Sequence, residues 1–139
     1  MKIGFVGLGN MGTGMANNIL NKIENKSDLF VYTRTLEKIK KFTSGGATGC
    51  TSIKEITTSV DVLLTCLPNV ETSRQIFMGD DGIFEHANSN QVLVDHSTVD
   101  VKTSKDCFES ASSKGLKFLD APISGGPGGA ADGTLTIMV

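Results

Sequence analysis

The residues best placed to do chemistry are those of Gly7-Leu8-Gly9-Asn10-Met11-Gly12, between the apolar run Ile3-Gly4-Phe5-Val6 and a helical pattern starting at Met11. A G-x-G-x-x-G spacing set between a strand and a helix suits the binding of a dinucleotide. Gly7 permits the sharp turn, Gly9 lets a diphosphate approach the backbone, and Gly12 lets the helix pack closely on the strand. The free N–H groups of the first helical turn then face the phosphates, and the helix dipole favours their charge. The competing reading is a glycine-rich connection that binds nothing.

A second group, Thr33-Arg34-Thr35, follows the apolar stretch Leu29–Tyr32. Sites that prefer NAD place an acidic residue here to accept hydrogen bonds from the adenosine ribose. None of these three residues is acidic. A guanidinium pairs bidentately with phosphate and two hydroxyls add donors, so the trio fits the 2′-phosphate of NADP, with NAD second. A solvated surface arginine is the alternative. Further along, Ser124 offers a hydroxyl, while Gly125 and Gly126 offer unobstructed N–H groups that can form a concavity for a carboxylate. Read without other information, Ser-Gly-Gly-Pro-Gly-Gly is a flexible loop.

Other reactive side chains carry less. Asp95 and His96 adjoin on a strand and so point to opposite faces, and His86 has no partner at a telling spacing. Structural or solvated roles are expected for both histidines. Asp80-Asp81 reads as a turn, without the several oxygen ligands that a hard cation requires. Cys50, Cys66 and Cys107 are too few and too scattered for a disulfide framework or a zinc motif. No metal site is expected.

Alternating strand and helix patterns must position these groups. Strands are expected over Lys2–Val6, Leu29–Tyr32, Ala47–Cys50, Val60–Leu67, Val92–Asp95 and Phe118-Leu119. The first helix should bury Met11, Met15, Ile19 and Ile23, which recur every four residues. Thr35 can cap the next, with Leu36, Ile39 and Phe42 inward and Gly45-Gly46 at its end. Thr51 or Ser52 caps a short helix through Thr57. Further helices are expected at Val70–Met78 and at about Asp100–Ser113, the last carrying Val101, Phe108 and Ala111. Between them lies a Gly79–Gly82 turn, and Thr134–Val139 reads as a final apolar strand. The expected architecture is α/β: a Rossmann-type, doubly wound, mostly parallel sheet.

The 139 residues suit a single domain, with 39% hydrophobic and 20% charged residues. A net charge of −2 gives no general attraction to nucleic acid or to anionic membrane. Neither a membrane-length apolar run nor a signal peptide is visible, and a cytoplasmic setting is the expectation.

Four segments resemble the β-hydroxyacid dehydrogenases, the family of 3-hydroxyisobutyrate and 6-phosphogluconate dehydrogenases. They are Ile3–Gly12 with Met15-Ala16-Asn17-Asn18, Cys66-Leu67-Pro68-Asn69, Asp95-His96-Ser97-Thr98, and Asp120-Ala121-Pro122-Ile123-Ser124-Gly125-Gly126. Gly129-Ala130 and Gly133–Thr136 agree with the family as well. The resemblance implies that Leu67 and Pro68 touch the cofactor and that Thr98 borders its nicotinamide end. It also implies that Ser124, Gly125 and Gly126 hold a small hydroxy-acid or semialdehyde substrate. Val101 stands where the family usually has proline, which bears on loop rigidity more than on chemistry. The family's catalytic lysine lies in a later G-x-x-x-N-x-x-K helix, so no catalytic residue is assigned among residues 1–139. The expectation is a dinucleotide-binding domain, cut before a helical domain, that binds NADP(H) without turning over substrate. Homo-oligomers would form through the absent part. Alternatives are 6-phosphogluconate dehydrogenase proper, disfavoured by Ser97-Thr98, and a silent NADP sensor or interaction module.

Overall fold

Short apolar runs flanked by glycine, proline and polar residues become six parallel strands in the computed structural model, which describes residues 1–139. They are β1 (Ile3–Val6), β2 (Leu29–Tyr32), β3 (Thr48–Gly49), β4 (Val62–Thr65), β5 (Val92–Asp95) and β6 (Lys117–Asp120), in the order β3-β2-β1-β4-β5-β6. The chain leaves β1 toward one edge and returns to β4 on its other side. That reversal opens a crevice at the carboxyl ends of β1 and β4, the usual ligand site of such sheets. In register, Val6 lies beside Tyr32 on one side and Thr65 on the other.

The helices are α1 (Asn10–Lys22), α2 (Leu36–Ser44), α3 (Ile53–Ser59), α4 (Val70–Met78), α5 (Ile83–His86), α6 (Val101–Ser113) and α7 (Gly126–Asp132). Strand alternation divides the core into two layers. Phe5, Leu29 and Val31 face Ala16, Leu20, Ile39 and Phe42 of α1 and α2. Val6, Leu63 and Leu93 face Ile56, Phe77, Phe84 and Cys107 of the helices on the other side. Phe84 and Phe118 meet edge-on with ring centroids 5.8 Å apart, and Phe77 packs against both.

Several helical faces are rotated from the expected ones. In α1 the buried line is Gly12, Ala16 and Leu20, whereas Met15 and Ile19 pack only partly against the core. The small residues let the helix axis approach β1, and the long side chains are displaced to the flanks. Leu36, at the start of α2, is 62% exposed, so only Ile39 and Phe42 point inward there. Val101 and Phe108 are 72% and 59% exposed, and α6 buries Thr103 and Cys107 beside the expected Ala111. Ser52 rather than Thr51 caps α3, accepting a hydrogen bond from the Glu55 N–H at 3.1 Å. Thr35 occupies the capping position of α2 without a side-chain hydrogen bond.

The glycine-rich stretch after Ser124 is not a loop throughout. Gly126–Asp132 is helical, with Pro127 in its first turn and Gly133 (φ 71°) ending it in the left-handed region. Only Thr136–Ile137 of the expected last strand is paired, as β8, antiparallel to β7 (Ile123–Ser124). No helix is long and apolar enough to cross a membrane.

Candidate functional site

The three glycines of the first turn do different work. Gly7 has φ 100°, and a Cβ there would collide with the Cys66 carbonyl oxygen. At Gly12 a Cβ would collide with the Gly7 carbonyl oxygen, so helix and turn meet backbone to backbone. A Cβ on Gly9 would meet nothing within 4 Å. The protein's own packing thus requires Gly7 and Gly12, while Gly9 keeps open a space that the chain does not fill. Gly9 also precedes α1 without any side-chain cap, and the first turn carries no acidic residue. The N–H groups that a helix start leaves without internal partners remain available to an anion.

Two side chains, one local and one from α2, hold this turn. The Thr13 hydroxyl donates to the Leu8 carbonyl at 3.1 Å, and the Lys38 ammonium donates to the same oxygen at 2.8 Å. Lys38 was not expected from the sequence. The available signal was its place on α2, four positions after Arg34 and so near it if the helix started early.

Gly7, Leu8, Gly9, Asn10, Met11 and Gly12 line one open cleft of about 970 Å³ together with Thr33, Arg34, Thr35, Leu67 and Pro68. Lys38 and, from α4, Glu71, Thr72 and Gln75 complete its walls, and the α4 residues were likewise unforeseen. Arg34 is exposed and forms no ion pair within the chain. Two cations therefore stand at the β2 end of a cleft whose centre is the open helix start, a charge distribution suited to phosphates. Thr98 lies outside the cleft wall, exposed in the turn between β5 and α6. Ser124, Gly125 and Gly126 are also exposed, with Gly125 (φ 136°) and Gly126 (φ 65°) in backbone conformations that favour glycine.

The wall at Leu67-Pro68 is fixed by a buried polar network. Asp95 is 2% exposed, and its Oδ1 accepts from the Thr65 hydroxyl at 2.7 Å and from the Ser97 N–H at 2.9 Å. Ser97 Oγ in turn accepts from the Leu67 N–H at 2.8 Å. The ends of β4 and β5 are thereby tied to the loop that bounds the cleft. His96 is buried and points away: its Nδ1 lies 2.8 Å from the Ala121 carbonyl, to which the ring N–H donates. It joins β5 to the segment after β6. His86 pairs with Asp81 at 2.5 Å, and neither residue lines the cleft.

Cys66 forms part of the cleft wall, where burial, reinforced by the Asp95 charge, pushes its thiol up to about 11. Such a thiol stays protonated at neutral pH and is a poor nucleophile. No three His, Cys, Asp or Glu side chains gather in a way that could hold a metal ion.

Residues 2–139 match the family described as the NAD binding domain of 6-phosphogluconate dehydrogenase. The chain is 39% identical over 137 residues to the uncharacterized oxidoreductase YkwC of Bacillus subtilis, an alignment covering 99% of this chain and 46% of that protein. Identity to the mitochondrial 3-hydroxyisobutyrate dehydrogenase of Rattus norvegicus is 35% over 137 residues, or 99% of this chain and 40% of that one. The structure of Mycobacterium tuberculosis 3-hydroxyisobutyrate dehydrogenase with L-serine superposes with a TM-score of 0.88 at 31% identity, covering 99% of this chain and 45% of that one. Psf3 in complex with NADP+ and 2-OPP gives a TM-score of 0.89 at 26% identity, covering 97% and 47%. The chain thus spans less than half the length of these relatives. Its glycine turn, its strand order and a match running from Lys2 to Val139 lead to one assignment: the chain belongs to the family of the NAD binding domain of 6-phosphogluconate dehydrogenase.

Proposed function

We propose that this chain is the NADP-binding part of an oxidoreductase of the 3-hydroxyisobutyrate dehydrogenase type, acting on a small 3-hydroxy acid or its semialdehyde. The observation that carries this reading is the cleft in which the open Gly9 position stands with the unpaired Arg34 and with Lys38. A bound nicotinamide dinucleotide supplies a hydride carrier. The chain's own residues bind and orient. The N–H groups of the first turn of α1 hold the diphosphate. Arg34 and Lys38, with the Thr33 and Thr35 hydroxyls, hold the 2′-phosphate. Leu67 and Pro68, anchored through Ser97, bound the site, and Thr98 borders its nicotinamide end. Ser124, Gly125 and Gly126 take the carboxylate of the substrate. Psf3, a relative solved with NADP+, supports the choice of dinucleotide.

Proton transfer to the substrate oxygen falls to a lysine in a G-x-x-x-N-x-x-K helix, a pattern that these 139 residues do not contain. That helix belongs to a helical domain, which would also provide the contacts of a homo-oligomer. The 139-residue chain should therefore bind cofactor and turn over nothing. Fluorescence titration should give saturable binding, tighter for NADPH than for NADH. Assays with 3-hydroxyisobutyrate and succinic semialdehyde should give no turnover. Equal affinity for the two dinucleotides would remove the 2′-phosphate assignment. Turnover by the purified chain would show that its own residues suffice for proton transfer.

A further inference from the structure

Asn18 lies on the flank of α1, two turns beyond the glycine turn, and its side-chain amide reaches across to α7. Nδ2 donates to the Ala130 carbonyl at 2.8 Å and to the Ala131 carbonyl at 3.1 Å, and it also lies 3.1 Å from the Gly14 carbonyl of its own helix. The last carbonyls of a helix have no internal partners. In α7 the Gly129 carbonyl is taken by the Gly133 and Thr134 N–H groups. The next two carbonyls are those that Asn18 takes. The seam beside them has no spare room, because a Cβ on Gly14 would lie 2.7 Å from the Ala130 carbonyl carbon. Ala130 is buried in this contact.

From these contacts we infer that Asn18 is a positioning residue, setting where Ser124, Gly125 and Gly126 stand relative to the glycine turn. Both groups hang on α1. The turn opens at its first residue, Asn10, and α7 is clamped at Gly14 and Asn18, about 6 Å and about 12 Å along the axis at 1.5 Å per residue. α7 begins at Gly126, the last of the three proposed acid-binding residues. Without the amide, α7 keeps its helical hydrogen bonds but loses the link that fixes its distance from the cofactor helix. The functional half of this inference rests on the proposed role of Ser124–Gly126.

The test compares the 139-residue chain with Asn18→Ala, Asn18→Gln and Gly14→Ala. The readouts are amide hydrogen exchange and binding of 3-hydroxyisobutyrate to the NADP+-loaded chain. In Asn18→Ala, amides of residues 129–135 should exchange at least tenfold faster while those of β1, β4 and β5 do not change. NADP+ affinity should stay within twofold, and the acid should bind at least fivefold more weakly. Asn18→Gln keeps a donor amide and should bring acid binding back to within twofold of wild type. Gly14→Ala wedges the same seam without touching the amide, should reproduce the loss, and gives the same test should Asn18→Ala not fold. Acid affinity in Asn18→Ala within twofold of wild type, or a glutamine variant as weak as the alanine one, overturns the positioning role. A wild-type chain that binds neither NADP+ nor acid overturns the proposed function instead. Exchange then decides the inference alone: faster exchange confined to residues 129–135 upholds it, and unchanged exchange refutes it.

Discussion

Replacing Arg34 by alanine should separate the two dinucleotides. Arg34 is exposed and has no ion-pair partner within the chain, so its removal should leave stability within about 0.5 kcal/mol of wild type. Any change in affinity then reports on the ligand. A hydrogen bond to a charged group is worth about 1.5–3 kcal/mol. Exposure to water puts Arg34 at the lower end of that range, and Lys38, tethered 2.8 Å from the Leu8 carbonyl, stays behind to share the phosphate charge. The expected loss is about 1.5 kcal/mol, or about tenfold in the Kd for NADPH. NADH lacks the 2′-phosphate and should change by less than twofold. Because the contact is exposed, the difference should shrink as salt rises from 50 to 500 mM. Isothermal titration with both dinucleotides at two salt concentrations, beside urea unfolding of both proteins, measures each term. Equal losses for NADPH and NADH would mean that Arg34 acts on the shared part of the ligand or on the fold. No loss for either would make it a solvated surface residue.

Two further outcomes test the architecture. Asp95→Ala leaves the buried Thr65 hydroxyl and the Ser97 N–H without their acceptor, at about 1–3 kcal/mol for each orphaned donor. The Val94 carbonyl, 3.5 Å from Thr65 Oγ, offers a partial substitute, so a total of about 2–4 kcal/mol is expected in urea unfolding. Asp95→Asn keeps an acceptor oxygen and should lose much less, and an alanine variant as stable as wild type would refute the network. Burial pushes the thiols of Cys66 and Cys107 up to about 11 and that of Cys50 to about 12, from an ordinary 9.0. Raised folded values mean that the native state holds more protons than the unfolded chain above pH 9. The stability they contribute is complete below pH 9 and is lost as pH rises through 11 to 12. The urea midpoint should therefore fall across that window in wild type and fall less in a triple Cys→Ala protein; parallel profiles would show that the thiols are not responsible.

Much of the frame was legible in the chain because it rests on local signals. β2 and β5 have the expected bounds, since each is an apolar run closed by polar residues. α4 likewise spans Val70–Met78 as expected, because Asn69 caps it and Gly79 follows it. Faces were less legible than elements. Periodicity in α1 and α6 picked out mainly large apolar side chains, whereas close packing against a sheet selected small ones, Ala16 in one and, in the other, Cys107 beside the expected Ala111. The helix α7 was hidden because four of its seven residues up to Asp132 are glycine or proline, and docking on α1 outweighs their poor propensity.

By itself the sequence determined the strand-turn-helix of Gly7–Gly12, the absence of a carboxylate at residues 33–35 and the β-α alternation that makes the sheet parallel, all properties of residues close together along the chain. The roles of the three glycines were legible in their spacing; tertiary structure added the Cys66 carbonyl that folding brings against Gly7. It also brought Lys38 to the Leu8 carbonyl and Asn18 to Ala130, partners 30 and 112 positions apart. A hydrogen bond across such distances leaves no periodicity and no motif in the sequence. It exists only once the sheet has set the two backbones side by side.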